Sequence, residues 1–107
     1  MKTFYDLPTV SAERGQTGKL YQEFLRVPAL SAGVYVLAAG AADPQQPHNE
    51  DELYYVVRGH ARMRVANKEH VVKTGSVIFV PAKIEHCFFD VSEELEVLVF
   101  FAPAESQ

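Results

Sequence analysis

The chain reads as an all-β protein, a sandwich or closed barrel, and three observations predict it. Roughly eight to ten short stretches rich in Val, Leu, Tyr and Phe recur along it at regular spacing. Each ends at a Gly, a Pro or a small polar cluster, the punctuation of strands rather than helices. No strong amphipathic helix interrupts them, because apolar residues alternate at period two where they are not continuous.

Taken in order, residues 1–18 contain Gly15, Gly18 and many polar residues, and are expected to form an N-terminal arm with one short strand at most. Leu20 to Val27 is the first candidate strand of the body, closed by Pro28. Ala32 to Ala39 is the next, ended by Gly40. Residues 41–47 carry Pro44 and Pro47 and no periodicity, so they form a loop. Leu53 to Val57 is a strand of aromatic and β-branched residues that turns at Arg58-Gly59. Ala61, Met63 and Val65 alternate with Arg62 and Arg64, the pattern of a half-buried strand. Ala66-Asn67-Lys68 turns the chain into His70-Val71-Val72, and Val77 to Val80 stops at Pro81. Cys87 to Val91 and Leu95 to Phe101 complete the set, separated by Ser92-Glu93-Glu94.

Composition narrows the function classes. A chain of 107 residues has room for one core, so residues 19–107 are expected to be a single barrel domain behind the arm at 1–18. With 48% hydrophobic and 22% charged residues the chain is an ordinary globular one. No apolar run approaches the roughly 20 residues that cross a bilayer, so no membrane partner is expected. A net charge of −4 opposes binding to a phosphate backbone, and the cluster of Arg58, Arg62 and Arg64 reads as solvated strand-face charge, so no nucleic-acid partner is expected. Cys87 is the single cysteine and the first residues show no secretory pattern, which makes a reducing cytoplasm the expected location.

Two blocks carry the chemistry. The first is Gly40-x5-Gln46-x-His48-x3-Glu52-x6-Gly59 and the second is Gly75-x5-Pro81-x-Lys83-x2-His86-x3-Asp90. With these spacings the chain resembles the cupin superfamily. Seven positions match its two motifs in register: Gly40, His48, Glu52, Gly59, Gly75, Pro81 and His86. Gln46 stands where the family has its first His, Lys83 where it has Gly, and Asp90 where it has Asn. The resemblance implies a double-stranded β-helix, or jelly-roll, barrel holding one divalent transition metal, whether Fe, Mn, Ni, Co or Zn. Carried over by position, the metal residues are His48, Glu52, His86 and Gln46. Gln46 either binds through Oε1 or hydrogen-bonds a water on the metal. His60 and His70 have no motif partner, and Glu50 and Asp51 read as solvated loop charges. Lys83 is expected either to take a left-handed conformation or, the favoured expectation, to change the type of its turn, and Asp90 to start one.

Alternation places Tyr54 and Val56 on the same face as Glu52, and Phe88 on the face of His86. Tyr54, and Tyr35 from the preceding strand, are the candidate catalytic acids or bases, since a nearby cation lowers a phenol's pKa. Arg26 and Arg64 are candidate clamps for a substrate carboxylate. The opposite parity turns Leu53, Tyr55, Val57, Cys87 and Phe89 outward, and the apolar last strand suggests a homodimer, which the family also commonly shows. The implied function is that of a metalloenzyme on a small oxygen-rich metabolite such as a sugar, sugar acid, keto acid or organic acid, of isomerase, lyase or dioxygenase type. The alternative is a non-catalytic small-ligand (sugar-type) binding barrel whose metal is structural or absent.

Overall fold

The computed structural model describes residues 1–106, so the expected domain end at Gln107 lies outside the described residues. The sequence folds as one helix followed by six strands: α1 (Leu7–Thr17), β1 (Tyr21–Val27), β2 (Leu30–Leu37), β3 (Asp51–Val65), β4 (Lys68–Lys73), β5 (Val77–Val80) and β6 (His86–Ala102). All strand pairings are antiparallel, in the order β1-β2-β6-β3-β4, with β5 also paired to β3. The expected jelly-roll barrel is formed.

The long strands differ from the sequence expectation. The stretches Leu53–Val57 and Ala61–Val65, expected as separate strands, belong to one continuous β3, and Cys87–Val91 and Leu95–Phe101 belong to one β6. Each is long enough to serve both halves of the barrel. The first half of β3 pairs with the end of β6 and with β5, and its second half pairs with the start of β6 and with β4. Between the halves the β3–β6 register shifts from Val56 to Arg62, which bends the pair where Gly59 sits. Gly59 has φ 108°, and a Cβ there would collide with the Glu94 carbonyl oxygen, so only glycine fits the bend.

The N-terminal arm contains a helix, not a strand. Asp6 caps it by accepting from the Thr9 amide at 3.2 Å, Pro8 lies in its first turn, and Gly18 at φ 72° closes it by donating to the Arg14 carbonyl. These start and stop residues are standard helix signals. They are hard to read from sequence because the helix buries only Val10 and shows almost no apolar stripe. Val10 packs with Val34 and Val36 of β2, beside Leu7, Phe24 and Leu98. The Ser11 hydroxyl donates to the buried Glu96, which also accepts from Arg58 at 2.9 Å, fixing α1 to the outside of the sheet.

The core lies between the halves. Leu37, Tyr54, Val56, Ala61, Met63, Phe88, Leu95, Val97 and Phe101 are all buried in one cluster drawn from β2, β3 and β6. The inward parity expected for Tyr54, Val56 and Phe88 therefore holds. Leu53 and Tyr55 face outward as expected, at 40% and 41% exposure.

Candidate metal centre

The two sequence blocks meet at one end of the barrel because the backbone ties them together. The loop after β2 starts with the Gly40 amide donating to the Val91 carbonyl and ends where the His48 carbonyl accepts from the Lys83 amide at 2.6 Å. Next to this, the Ala82 amide donates to the Asp51 carboxylate at 2.9 Å. Asp51 thus clamps the turn that leads into His86, a role its exposure does not suggest. Lys83 does not take the favoured expectation: it adopts the left-handed conformation, at φ 67°. Asp90 is also left-handed, φ 48°, inside β6 rather than at the start of a turn.

This clamp brings His48, Glu52 and His86 together, with one ligand atom from each lying within 4.8 Å of the others. Glu52 Oε1 is 3.3 Å from His86 Nε2 and 3.8 Å from His48 Nε2. Glu52 is 2% exposed, and neither of its carboxylate oxygens accepts a well-formed hydrogen bond among the described residues. A buried carboxylate left this way is costly unless a cation meets it. The donor set, two imidazoles and a carboxylate, suits a divalent transition ion. The residues present therefore fit the metal that the resemblance implies.

Each histidine is oriented from behind. His86 Nδ1 donates to the Ile84 carbonyl at 2.9 Å, which leaves Nε2 facing Glu52. Burial disfavours the charged form of His86, but the adjacent Glu52 carboxylate and the Ile84 carbonyl outweigh it and raise the pKa above the ordinary histidine value. His48 Nδ1 lies 3.4 Å from the Glu105 carboxylate. The tail bearing Glu105 is pinned by its amide to Ser31 Oγ at 2.9 Å and by its carbonyl to the Arg26 guanidinium at 2.8 Å. Burial, more than the neighbouring acids, raises the Glu105 pKa.

Gln46 is placed differently from the sequence expectation. It is exposed, and its neighbour Gln45 turns inward. The Gln45 amide donates to Asp43 at 2.9 Å, and its Oε1 accepts from the Tyr54 hydroxyl at 2.6 Å, 3.3 Å from His86 Nε2. Pro44 and Pro47 keep this stretch from regular strand alternation, and the inward face falls on Gln45, one residue before the motif position. Gln45, Asp43 and Glu105 were missed for related reasons. Two lie in an aperiodic loop and the third in the tail, where no period-two pattern points.

Tyr54 is fully buried, and burial, then the Glu52 charge, pushes its phenol well above the ordinary value. Tyr35 is raised as well, by burial and by its hydrogen bond to Asp43. Both act as protonated donors in this structure. Arg26 is tied to Glu23 and to the Glu105 carbonyl, and Arg64 to Glu69. His60 bonds Ser92 outside the cluster, and His70 is exposed. Glu50, expected to be solvated, is instead buried, and its Oε1 has no partner among the described residues.

Beside the cluster lies a cavity of about 120 Å³, lined by Tyr21, Tyr35, Gln45, His48, Glu52, Val99, Phe101 and Glu105. It has room for about four waters, and among the described residues no Lys or Arg lines it.

Fold and site together define a small β-barrel of the cupin class with a candidate metal site. The cupin domain model matches residues 33–102, about two thirds of the chain, and the protein belongs to the cupin family. It is 45% identical over 106 residues to the uncharacterized protein SCO3923 of Streptomyces coelicolor, covering 99% of this chain and all of that one. Among solved structures it is similar to TT1209 from Thermus thermophilus, with TM-score 0.73 and 22% identity over 94% of this chain and 97% of that one. It is also similar to the DMSP lyase DddQ from Ruegeria pomeroyi DSS-3, with TM-score 0.66 and 22% identity over 71% of this chain. This chain spans 39% of the lyase's length. Both structural likenesses are of fold.

Proposed function

We propose that this cupin holds one divalent transition ion on His48, Glu52 and His86 and acts on a small oxygen-rich metabolite, by isomerase, lyase or dioxygenase chemistry. The observation that carries the reading is Glu52, whose buried carboxylate accepts no well-formed hydrogen bond among the described residues while two imidazoles face it. Such an ion, when bound, polarises a carbonyl or hydroxyl oxygen of the substrate. The chain's own residues do the rest. Tyr54 and Gln45 fix the inner wall, and Phe101 and Val99 exclude water. The cavity size favours a substrate of few atoms. A lyase among the fold neighbours supports keeping lyase chemistry among the reaction types.

A second reading, a non-catalytic ligand-binding barrel with a structural ion, is favoured by one observation. Both candidate phenols are already engaged as hydrogen-bond donors, Tyr54 to Gln45 and Tyr35 to Asp43, rather than left free to exchange a proton with a ligand. Either reading takes residues 19–107 as one barrel behind the arm. Both also include a homodimer, supported by the bare apolar face of β3 and β5.

The test is elemental analysis of protein purified without a chelating tag, beside His86→Ala. One transition ion per chain, lost in the variant, is the expected result. No ion in either, after incubation with Fe(II), Mn, Ni, Co and Zn in turn, would sink the metal site. Water proton relaxation with Mn(II) bound then separates the readings: exchangeable water marks the enzyme, a closed shell the binding module.

A further inference from the structure

We propose that Gln45, not the motif residue Gln46, supplies a fourth donor to the metal cluster through Oε1, with Asp43 fixing the amide so that the oxygen faces inward. The inference rests on the metal-site reading above. The Gln45 nitrogen is committed, because it donates to Asp43 Oδ2 at 2.9 Å and a carboxylate only accepts. The oxygen is therefore the end that meets Tyr54 and His86. Asp43 is itself held in place by the Tyr35 hydroxyl and by the Phe88 amide at 2.8 Å. The amide's orientation is thus set by the barrel wall, not by the loop.

On the other side of the gap, His86 spends its Nδ1 proton on the Ile84 carbonyl, so the neutral ring offers a lone pair at Nε2. That lone pair sits 3.3 Å from Gln45 Oε1 and 3.3 Å from Glu52 Oε1. Gln45 Oε1, which accepts from Tyr54 with one lone pair and keeps another, therefore converges with Glu52 and the neutral form of His86, three lone-pair donors that a shared cation satisfies. Donors bound about 2.1 Å from one ion lie roughly 3.0–3.5 Å apart by simple geometry, which both measured separations match. Gln46 is exposed, and its side chain makes no such hydrogen bond among the described residues.

The experiment titrates Co(II) into metal-free wild-type protein and into Gln45→Ala, Gln46→Ala and Tyr54→Phe, reading the dissociation constant and the visible ligand-field absorption. Gln45→Ala is expected to weaken binding by about tenfold or more and to shift the absorption. Gln46→Ala should match wild type in both. Tyr54→Phe removes the same Tyr–Gln hydrogen bond but no donor, and should keep the wild-type absorption, so that loss of packing is told apart from loss of a ligand. Wild-type absorption in Gln45→Ala, or an equal shift in Gln46→Ala, would overturn the proposal while leaving the metal site standing. Failure of the wild-type protein to bind Co(II) would overturn both.

Discussion

Glu105 reaches the site from the far end of the chain and faces His48 Nδ1 at 3.4 Å. A carboxylate behind a ligating imidazole holds its ring plane and raises its donor strength. Glu105→Gln keeps the shape and removes the charge. It is expected to weaken metal binding about tenfold while leaving the melting temperature of the metal-free protein near that of wild type, as calorimetric titration and a thermal scan would show. At this scale the sequence was partly legible. His48, Glu52 and His86 stand at spacings that strands and one clamped turn bring together. Gln45 does not, because two prolines displace the inward face, and Glu105 does not, because nothing in a tail of Ala104-Glu105-Ser106 announces a partner 57 positions away, 105 minus 48.

At the scale of elements, the strands were readable from their residues, but their continuity was not. Gly59 and the acidic run at Glu93-Glu94 look like the ends of strands. In the barrel they are bends within strands, because β3 and β6 pair with each other on both sides of the break. The helix α1 was missed in the opposite way, with caps present but no apolar stripe, since a single turn of contact suffices when the sheet supplies the rest. The bend gives a direct test. Gly59→Ala puts a methyl against the Glu94 carbonyl at a backbone angle that alanine avoids. It is expected to cost about 2 kcal/mol or more, measured by urea unfolding of the metal-free protein. A loss below the error of that measurement would mean that the strand can bend elsewhere.

At the scale of the whole molecule, the outer face of the sheet is covered unevenly. Helix α1 lies over β2 and its neighbours, whereas Leu53, Tyr55, Val77 and Phe79 form facing cross-strand pairs on β3 and β5. Val77 and Phe79 are 63% and 57% exposed. A stripe of this kind is expected to be buried against a second copy. Sedimentation equilibrium should then give a dimer for the wild-type protein and a monomer for Phe79→Asp, with metal stoichiometry per chain unchanged in the variant. A monomeric wild-type protein would rule out the dimer.

The bend at Gly59 also governs how the molecule comes apart. Strands β3 and β6 run through both halves of the barrel, so neither half owns a complete set of strands. One half cannot melt while the other stays paired, because the same two backbones would have to be ordered along part of their length and free along the remainder. Unfolding is then a single event shared by the metal end and the opposite end, and any ion gripped by His48 and His86 lends its binding energy to the entire chain.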